Sequence, residues 1–401
     1  MARILIPSPI DIMQIAVLRG AGLQGHECHV AWPEDRLSRA LYSKHCKRLH
    51  KVPDAGKDPD AYAQAVLNLC REGNYDVVLP TSVNSLEALL PHTEKLSSLT
   101  HILMPSQVQF AIGMDKIQTV EMCDQFGFHY PDSVILSAAT NIEDIVAKFG
   151  FPLVVKHRRN YSGSWGVRCV QSLPELNSAI TELSGFTKRL SDLMIQRFIP
   201  GTLFDACVVA KDGKIAGIAT QARRLMYPIS GGVASTLTTI EIPELTQQAI
   251  EIVEALHWTG PIQLEFKRDP RDKLFSLIEI NPRFWGTTGA WLRAGINFPA
   301  MAVSLALHQE VTRAPALPAD LRCRYVIGRT PYSLIQLWRA KGFSALRDPI
   351  KYSKTWYDFD LSDPLPELWR VYNEISTALR GGRSLSDKTL PVEDIPSYEK
   401  Y

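Results

Sequence analysis

The sequence predicts an α/β protein of several domains, an open parallel α/β domain followed by lobes of mixed helix and strand. Three observations carry that expectation. Strand-like and helix-like patterns alternate from Arg3 to about residue 100, the order of a parallel sheet with crossover helices. A Gly/Ser loop, Asn160-Tyr-Ser-Gly-Ser-Trp-Gly166, lies between two strand patterns instead of opening a helix. Two apolar-alternating runs, Pro261 to Lys267 and Leu274 to Arg283, flank the turn segment Asp269-Pro-Arg-Asp-Lys273 and read as an antiparallel hairpin. At 401 residues the chain is too long for one small core, and the usual domain size gives about two to four domains.

In chain order, Arg3 to Pro7 reads as a strand, Met13 to Leu23 as a helix and Cys28 to Trp32 as a second strand, an opening β-α-β unit. Ala61 to Cys70, Asp76 to Pro80 and Asn84 to Leu96 extend the alternation as helix, strand and helix. Gly20-Ala-Gly-Leu-Gln-Gly25 is a literal G-x-G-x-x-G, but it follows a helix and precedes a strand, so it ends the helix and makes a turn; the dinucleotide reading is rejected. His26, Cys28 and His29 alternate faces of one strand and read as ordinary strand residues. From Met114 the character changes. Asp115-Lys116 opens a helix to Phe126, capped by Gly127, so a boundary is expected near residue 105. Asn141 to Phe149 is a helix, Phe151 to Lys156 a strand with its lysine at the end, and Val167 to Val170 a strand beyond the loop. Leu193 to Ile199 meets a Pro-Gly turn, Leu203 to Ala210 and Lys214 to Thr220 form a hairpin around Asp212-Gly213, and Ile240 to Leu256 resumes helix. Trp291 to His308 reads as one further helix. After Pro315 the signals weaken to short amphipathic stretches, Leu334 to Trp338 and Leu365 to Leu379, and a polar, loosely ordered end.

Composition narrows the partners. Lys plus Arg number 44 and Asp plus Glu 42, so net charge gives no reason to expect nucleic acid or an anionic membrane. The seven cysteines are scattered without a C-x-x-C pair, which fits reduced thiols. The first residues have too short an apolar run for a signal peptide, and no stretch approaches a membrane span. A soluble, cytoplasmic protein is expected.

The hairpin carries the chemistry. With a connection symmetric about Arg271, Glu265 falls opposite Leu277 and diagonal to Glu279 on the same face, roughly 5 to 8 Å apart at Cβ. Two carboxylates so close need a positive charge between them. Their oxygens, with Asn281 two residues beyond Glu279, form a donor set suited to magnesium, which also accepts water and phosphate. An edge hairpin with two solvated acids is the plainer alternative, but it leaves the sequel Glu279-Ile-Asn-Pro-Arg283 followed by Phe-Trp-Gly without a reason. The Gly/Ser loop can fold over phosphates, donating backbone N–H groups and the hydroxyls of Ser162 and Ser164, next to Lys156.

Glu-x-Asn-Pro-Arg after a paired acidic strand resembles the ATP-grasp superfamily, over roughly residues 1 to 310 in element order. The resemblance implies an N-terminal α/β domain (1–105), an ATP-grasp domain (106–310) of two α+β lobes holding ATP between them, and a C-terminal extension (311–401). The flap lobe would be about 151–192 and the magnesium lobe about 193–310. It implies ATP and two magnesium ions, with manganese as an acceptable substitute, held by Glu265, Glu279 and Asn281. Lys116, Lys156, Ser162, Gly163, Ser164 and Gly166 would contact the phosphates, and the edge Gln196, Arg197, Phe198 and Ile199 the adenosine. Gln196 stands where an acid is common in the superfamily, so Asp205 is a further candidate for the nucleotide.

The branch looks like carboxylases and carbamoyl-phosphate synthases within the carboxylate–amine ligases. On that resemblance a carboxylate is activated as an acyl phosphate that an amine attacks. Arg283 would serve as oxyanion donor and Arg224, of the basic cluster Arg223-Arg224, as contact to a substrate carboxylate or phosphate; Arg293 and the run His157 to Arg159 are lesser basic candidates. The implied partners are a small-molecule carboxylate and amine, such as an amino acid or related metabolite, with no nucleic acid or membrane and with room for a homodimer. A bicarbonate-activating enzyme and a non-catalytic ATP-binding regulator are the alternatives.

Overall fold

The computed structural model describes residues 1–8, 11–159, 166–187, 189–227, 232–311, 320–325, 329–347, 355–356 and 358–379. Its first unit alternates strand and helix: β1 (Arg3–Pro7), α1 (Asp11–Gly22), β2 (Glu27–Pro33), β3 (Cys46–Val52), α2 (Pro59–Gly73), β4 (Val77–Val78), α3 (Val83–Leu89), α4 (Thr93–Ser97) and β5 (His101–Ile102). The strands pair in parallel in the order β3-β2-β1-β4-β5. Ile4, Leu5 and Ile6 are fully buried, as expected for a strand covered on both faces. In α2, Asp58 caps the first turn, Pro59 fits where no N–H is needed, and Tyr62, Ala63, Val66, Leu67 and Cys70 form the buried face. Strand β3 has no counterpart in the sequence reading, because it is an edge strand whose Lys47, Arg48 and Lys51 blunt the open edge and mask the alternation.

The second unit begins with α5 (Gln107–Met114) and α6 (Lys116–Phe126), capped by Ser106 and Asp115. It continues with β6 (Ser133–Ile135), α7 (Ile142–Phe149), β7 (Leu153–His157), β8 (Val167–Val170), α8 (Leu173–Ser184) and β9 (Leu193–Arg197). These strands make an antiparallel sheet in the order β6-β9-β7-β8. One face packs Leu153, Val155 and Ile195 against Ile145 of α7 and Leu176, Ala179 and Leu183 of α8.

The third unit holds β10 (Leu203–Lys211), β11 (Lys214–Tyr227), β12 (Val233–Ile240), α9 (Pro243–Ala255), β13 (Gly260–Arg268), β14 (Phe275–Asn281), α10 (Thr288–Arg293), α11 (Phe298–Ala306), β15 (Arg322–Arg324), α12 (Arg329–Lys341), β16 (Thr355–Trp356) and α13 (Leu365–Leu379). Its sheet runs β14-β13-β10-β11-β12-β15-β16, antiparallel except for the last pair. One face, Phe204, Ala206, Val208, Leu264, Phe266 and Ile280, packs with Leu245, Ala249, Ile252 and Val253 of α9. The other carries Cys207, Val209 and Ala219 into a core with Trp285, Phe298 and Met301, continuous with Ile4, Ile6 and Val17 of the first unit. A shared core therefore holds the large sheet against the first unit.

Two expectations are corrected. The stretch Trp291 to His308 is two helices: Gly295 takes φ 87° and Asn297 caps α11 ahead of Pro299, a stop and restart that apolar periodicity alone does not reveal. The chain beyond Pro315 is also more built than its weak signals suggest. β15 joins the large sheet, and Asp363 and Glu367 are buried against the first unit, Asp363 on Arg19 at 2.9 Å and Glu367 on Arg39 at 2.8 Å. The polar end after Leu379 lies outside the described residues. Among the described residues no helix is long and apolar enough to cross a membrane.

Candidate active site

Glu265 and Glu279 face each other directly across β13 and β14. The symmetric register, with Leu277 opposite Glu265, is not the one found. The connection is offset by one residue, with Lys267 opposite Ser276, and Ile278 is the extra residue of a bulge, so two single shifts add. Asp205 of β10 stands opposite Glu265 on its other side. Three carboxylates thus form one row across three adjacent strands, each about 4.5–5.5 Å from the next at Cβ.

What neutralises the row is Arg223. Its Nε and Nη2 grip Asp205 at 2.9 and 2.6 Å, Nη2 also reaches Glu265 Oε1 at 2.6 Å, and Nη1 donates to the Gly232 carbonyl at 3.2 Å. Asp205 is fully buried and accepts a further hydrogen bond from Gln221 Nε2 at 2.7 Å. Burial pushes the Glu265 carboxyl up to about 7 against the pull of Arg223, with Glu279 and Asp205 pushing the same way. The row carries more negative charge than one guanidinium relieves.

Asn281 and Arg283 continue the face. Asn281 Nδ2 donates to Glu265 Oε1 at 2.9 Å, while its Oδ1 accepts from Arg283 Nη2 at 3.0 Å. Arg283 Nη1 donates to the Phe284 carbonyl at 2.8 Å and lies 3.4 Å from Met13 Sδ of α1. Burial draws the Arg283 guanidinium below its usual range, opposed by Glu279 and Glu265.

Two lysines reach the row from the second unit. Lys116, the first residue of α6, places Nζ 3.9 Å from Glu279 Oε2. Lys156, at the end of β7, is buried and donates to Gln196 Oε1 at 2.8 Å; Gln196 Nε2 in turn donates to Ser133 Oγ at 2.8 Å. The Lys156 ammonium is drawn down to about 7 by burial first and by Lys116 second, with Glu279 and Glu265 acting against both. Arg158 fixes this end of β7 by gripping Asp115, the cap of α6, at 2.6 Å. A basic pair and an acidic row therefore meet in one place, an arrangement that suits a highly charged anion with its cations.

The remaining candidates divide. Gln196 is turned to Lys156. Arg197 is paired with Asp132, the Phe198 ring lies 4.6 Å from Lys267 Nζ, and the Ile199 carbonyl accepts from that Nζ at 2.6 Å. Asp205 stands in the acid row of the large sheet, away from this edge. Gly166 is buried at the start of β8, whereas Ser162, Gly163 and Ser164 lie outside the described residues. Arg224 is not brought to the acids. It donates to Thr238 Oγ1 at 3.2 Å, on the reverse face from Leu237 and Arg223. A regular two-residue turn at Asp212-Gly213 would set Asp205 opposite Thr220 and turn Arg224 to the acid face. The extra residue Ala216 shifts the pairing by one, so Gln221 and Arg223 stand there instead. Sequence reasoning named the pair Arg223-Arg224 and preferred Arg224; the extra residue that no local pattern announces is what brings Arg223 to the acids instead.

The residues fit magnesium. Among the described residues no three acidic, histidine or cysteine side chains converge on one metal-sized point. A cation here takes two carboxylates, completed by amide oxygen, water or phosphate, which suits magnesium and not zinc.

A parallel α/β unit, a small antiparallel lobe with a buried lysine, and a large antiparallel sheet with a Glu-Ile-Asn-Pro-Arg hairpin make up the ATP-grasp fold. Residues 189–328 match the family described as ATP-grasp in the biosynthetic pathway with Ter operon. Among curated proteins the chain is 20% identical over 278 residues to D-aspartate ligase of Enterococcus faecium, covering 63% of this chain and 64% of that one. It is 25% identical over 241 residues to the carbamoyl phosphate synthase large chain of Methanoregula boonei, covering 55% and 22%. The chain thus spans less than two thirds of these relatives' own length. Among solved structures it is similar to the L-amino acid ligase from Bacillus licheniformis (TM-score 0.59, 17% identity, 77% of this chain and 74% of that chain). It is also similar to N5-carboxyaminoimidazole synthetase from Staphylococcus aureus complexed with ADP (TM-score 0.65, 15% identity, 87% and 86%).

Proposed function

We propose that the chain is an ATP-dependent carboxylate–amine ligase that forms a C–N bond and releases ADP and phosphate. The observation that carries this reading is the three-carboxylate row meeting two buried lysines, with Arg223 and Arg283 on its flanks. Lys116 and Lys156 hold the triphosphate, and an incoming anion restores the charge on the buried Lys156 ammonium. Glu265, Glu279 and Asn281 would hold magnesium, two ions on the family resemblance, and the metal would supply Lewis-acid charge to the phosphate oxygens. The Gln196 to Ile199 segment receives the adenosine.

In the first half-reaction a carboxylate oxygen attacks the γ-phosphorus and the bond to the β-phosphate oxygen breaks, leaving ADP. The protein's part is alignment and charge balance. In the second half the amine nitrogen attacks the acyl carbon, the C–O bond to phosphate breaks, and the nitrogen gives up its proton. Arg283, oriented by Asn281 and the Phe284 carbonyl, donates to the oxyanion of that step. Arg223, held on Asp205, would keep the row compact with Glu265 as a metal ligand.

The test is ADP and phosphate release with ATP and magnesium over a matrix of small acids and amino acids, with Glu279→Gln as the blank. Release that needs both an acid and an amine and vanishes in the blank is the expected result. Release with bicarbonate alone would replace the ligase with a carboxylase-type activity, and tight ATP binding without release under any pairing would leave a binding module.

A further inference from the structure

Apart from the acid row, the fold encloses a second charged space. It is a cavity of about 100 Å³ between α1, α10 and the segment leading into α13. One water needs about 10–15 Å³ on this scale, so the space admits a ligand of several heavy atoms, the size of a free amino acid. Its charged lining is balanced, with Arg19, Arg39 and Arg293 against Asp358, Asp360 and Glu367. Its apolar wall, Ile12, Ile15, Ala16 and Leu292, leaves little room for a long side chain.

The charges do not stand alike. Arg19 is committed to Asp363 at 2.9 Å and Arg39 to Glu367 at 2.8 Å, tight pairs that lock α13 to the first unit. Arg293 and Asp360 stand 3.5 Å apart, with side chains 35% and 21% exposed, so a ligand can enter between them without breaking a tight pair. Arg293 Nη2 donates to the Phe359 carbonyl at 2.7 Å, which holds the guanidinium in place. Asp360 Oδ1 accepts from the Ser362 N–H at 2.8 Å. Burial works against its charge, but that hydrogen bond with Arg293 and Arg19 holds the Asp360 carboxyl below its usual range, so it is ionised at neutral pH. The cavity also lies back to back with the chemistry. Gly286 lines it three residues after Arg283, and Ile12 lines it beside Met13, whose sulfur contacts Arg283.

We propose that this cavity binds a small free α-amino acid, its carboxylate on Arg293 and its ammonium on Asp360. A balanced site rejects a simple anion or cation, since either leaves one lining charge unanswered, whereas a zwitterion answers both.

The experiment is calorimetric titration of the full, nucleotide-free chain with glycine, L-alanine, L-serine and L-phenylalanine. The small amino acids are expected to bind and phenylalanine not to. Asp360→Asn should weaken binding about tenfold or more, the loss of one charge-assisted contact. Ala16→Leu fills the cavity without touching a charge and should abolish binding while the melting temperature holds. An unchanged Kd in either variant, or no heat from any amino acid while ATP with magnesium still binds, overturns the proposal. Binding of small amino acids without ADP release upholds the cavity and leaves the ligase reading to its own test.

Discussion

Arg223→Met is the most informative perturbation, because the guanidinium is the cation that the described structure places against Asp205 and Glu265 together. Methionine keeps the aliphatic stem and removes the charge. Asp205, fully buried, would retain only the Gln221 donor at 2.7 Å among its side-chain contacts named above, and Glu265 the Asn281 donor at 2.9 Å. Breaking a buried ion pair from one side costs about 3–5 kcal/mol, and the two surviving hydrogen bonds point to the lower end, about 3 kcal/mol. Urea unfolding of the nucleotide-free protein, followed by the fluorescence of the buried Trp258, Trp285 and Trp291, reads this as a lower midpoint at unchanged slope. The second arm is Arg223→Met with Asp205→Leu, which removes both members of the tightest pair and should recover more than half of the loss. A single variant within about 0.5 kcal/mol of the parent, the range of an ordinary surface change, would refute the buried row as described. A double variant no better than the single would refute the pairing.

Three further outcomes follow from the same site. Glu279→Gln removes one of two facing like charges, so it should melt no lower than the parent yet lose ATP turnover; an active variant would mean the hairpin is not the metal site. Lys156, drawn down to about 7 by burial, binds fewer protons in the folded than in the unfolded chain between pH 7 and its ordinary 10.5, so the stability of the nucleotide-free protein should rise with pH across that window. Lys156→Met should flatten this rise and abolish ATP binding, and a pH profile of melting identical in both proteins would contradict the buried ammonium. Arg283→Lys loses the fork shared between Asn281 and the Phe284 carbonyl, and should lower kcat by about 10²–10³ with the ATP Kd unchanged. A loss in Kd instead would make Arg283 a nucleotide contact.

The sequence made the first unit legible because fully apolar strands and an amphipathic helix with a cap and a first-turn proline, such as α2, carry their periods in plain view. It also brought Glu265, Glu279, Asn281, Lys116 and Lys156 forward together, and the structure does gather these five in one place. What stayed hidden was of two kinds. β3 and the break between α10 and α11 are local, masked by surface charge in one case and by continuous apolarity in the other. The anchoring of α13 is long-range: Asp363 and Glu367 find Arg19 and Arg39 more than 300 residues away in sequence, and no local pattern announces such a pairing.

The deepest illegibility is at the site itself, and it has one physical source. A strand shows opposite faces at successive residues, so a single extra residue inverts every side chain beyond it. Continued without the bulge, the β13–β14 register would set Ile278 opposite Glu265 and turn Glu279 and Asn281 to the reverse face. Without Ala216, β11 would turn Arg224 to the acids and Arg223 away. Both bulges are needed for one row to hold Arg223, Asp205, Glu265 and Glu279. Each extra residue disrupts its ladder locally, at a cost to the sheet, and each also serves the core against α9: Ile280 joins Phe275 and Leu277 there in place of Glu279, and Ile218 and Ala222 join Ile215 in place of Arg223. The two irregularities therefore sort side chains in one stroke, apolar ones to the core against α9 and the four charged ones to the opposite face, so the acid row and the core behind it depend on the same two extra residues.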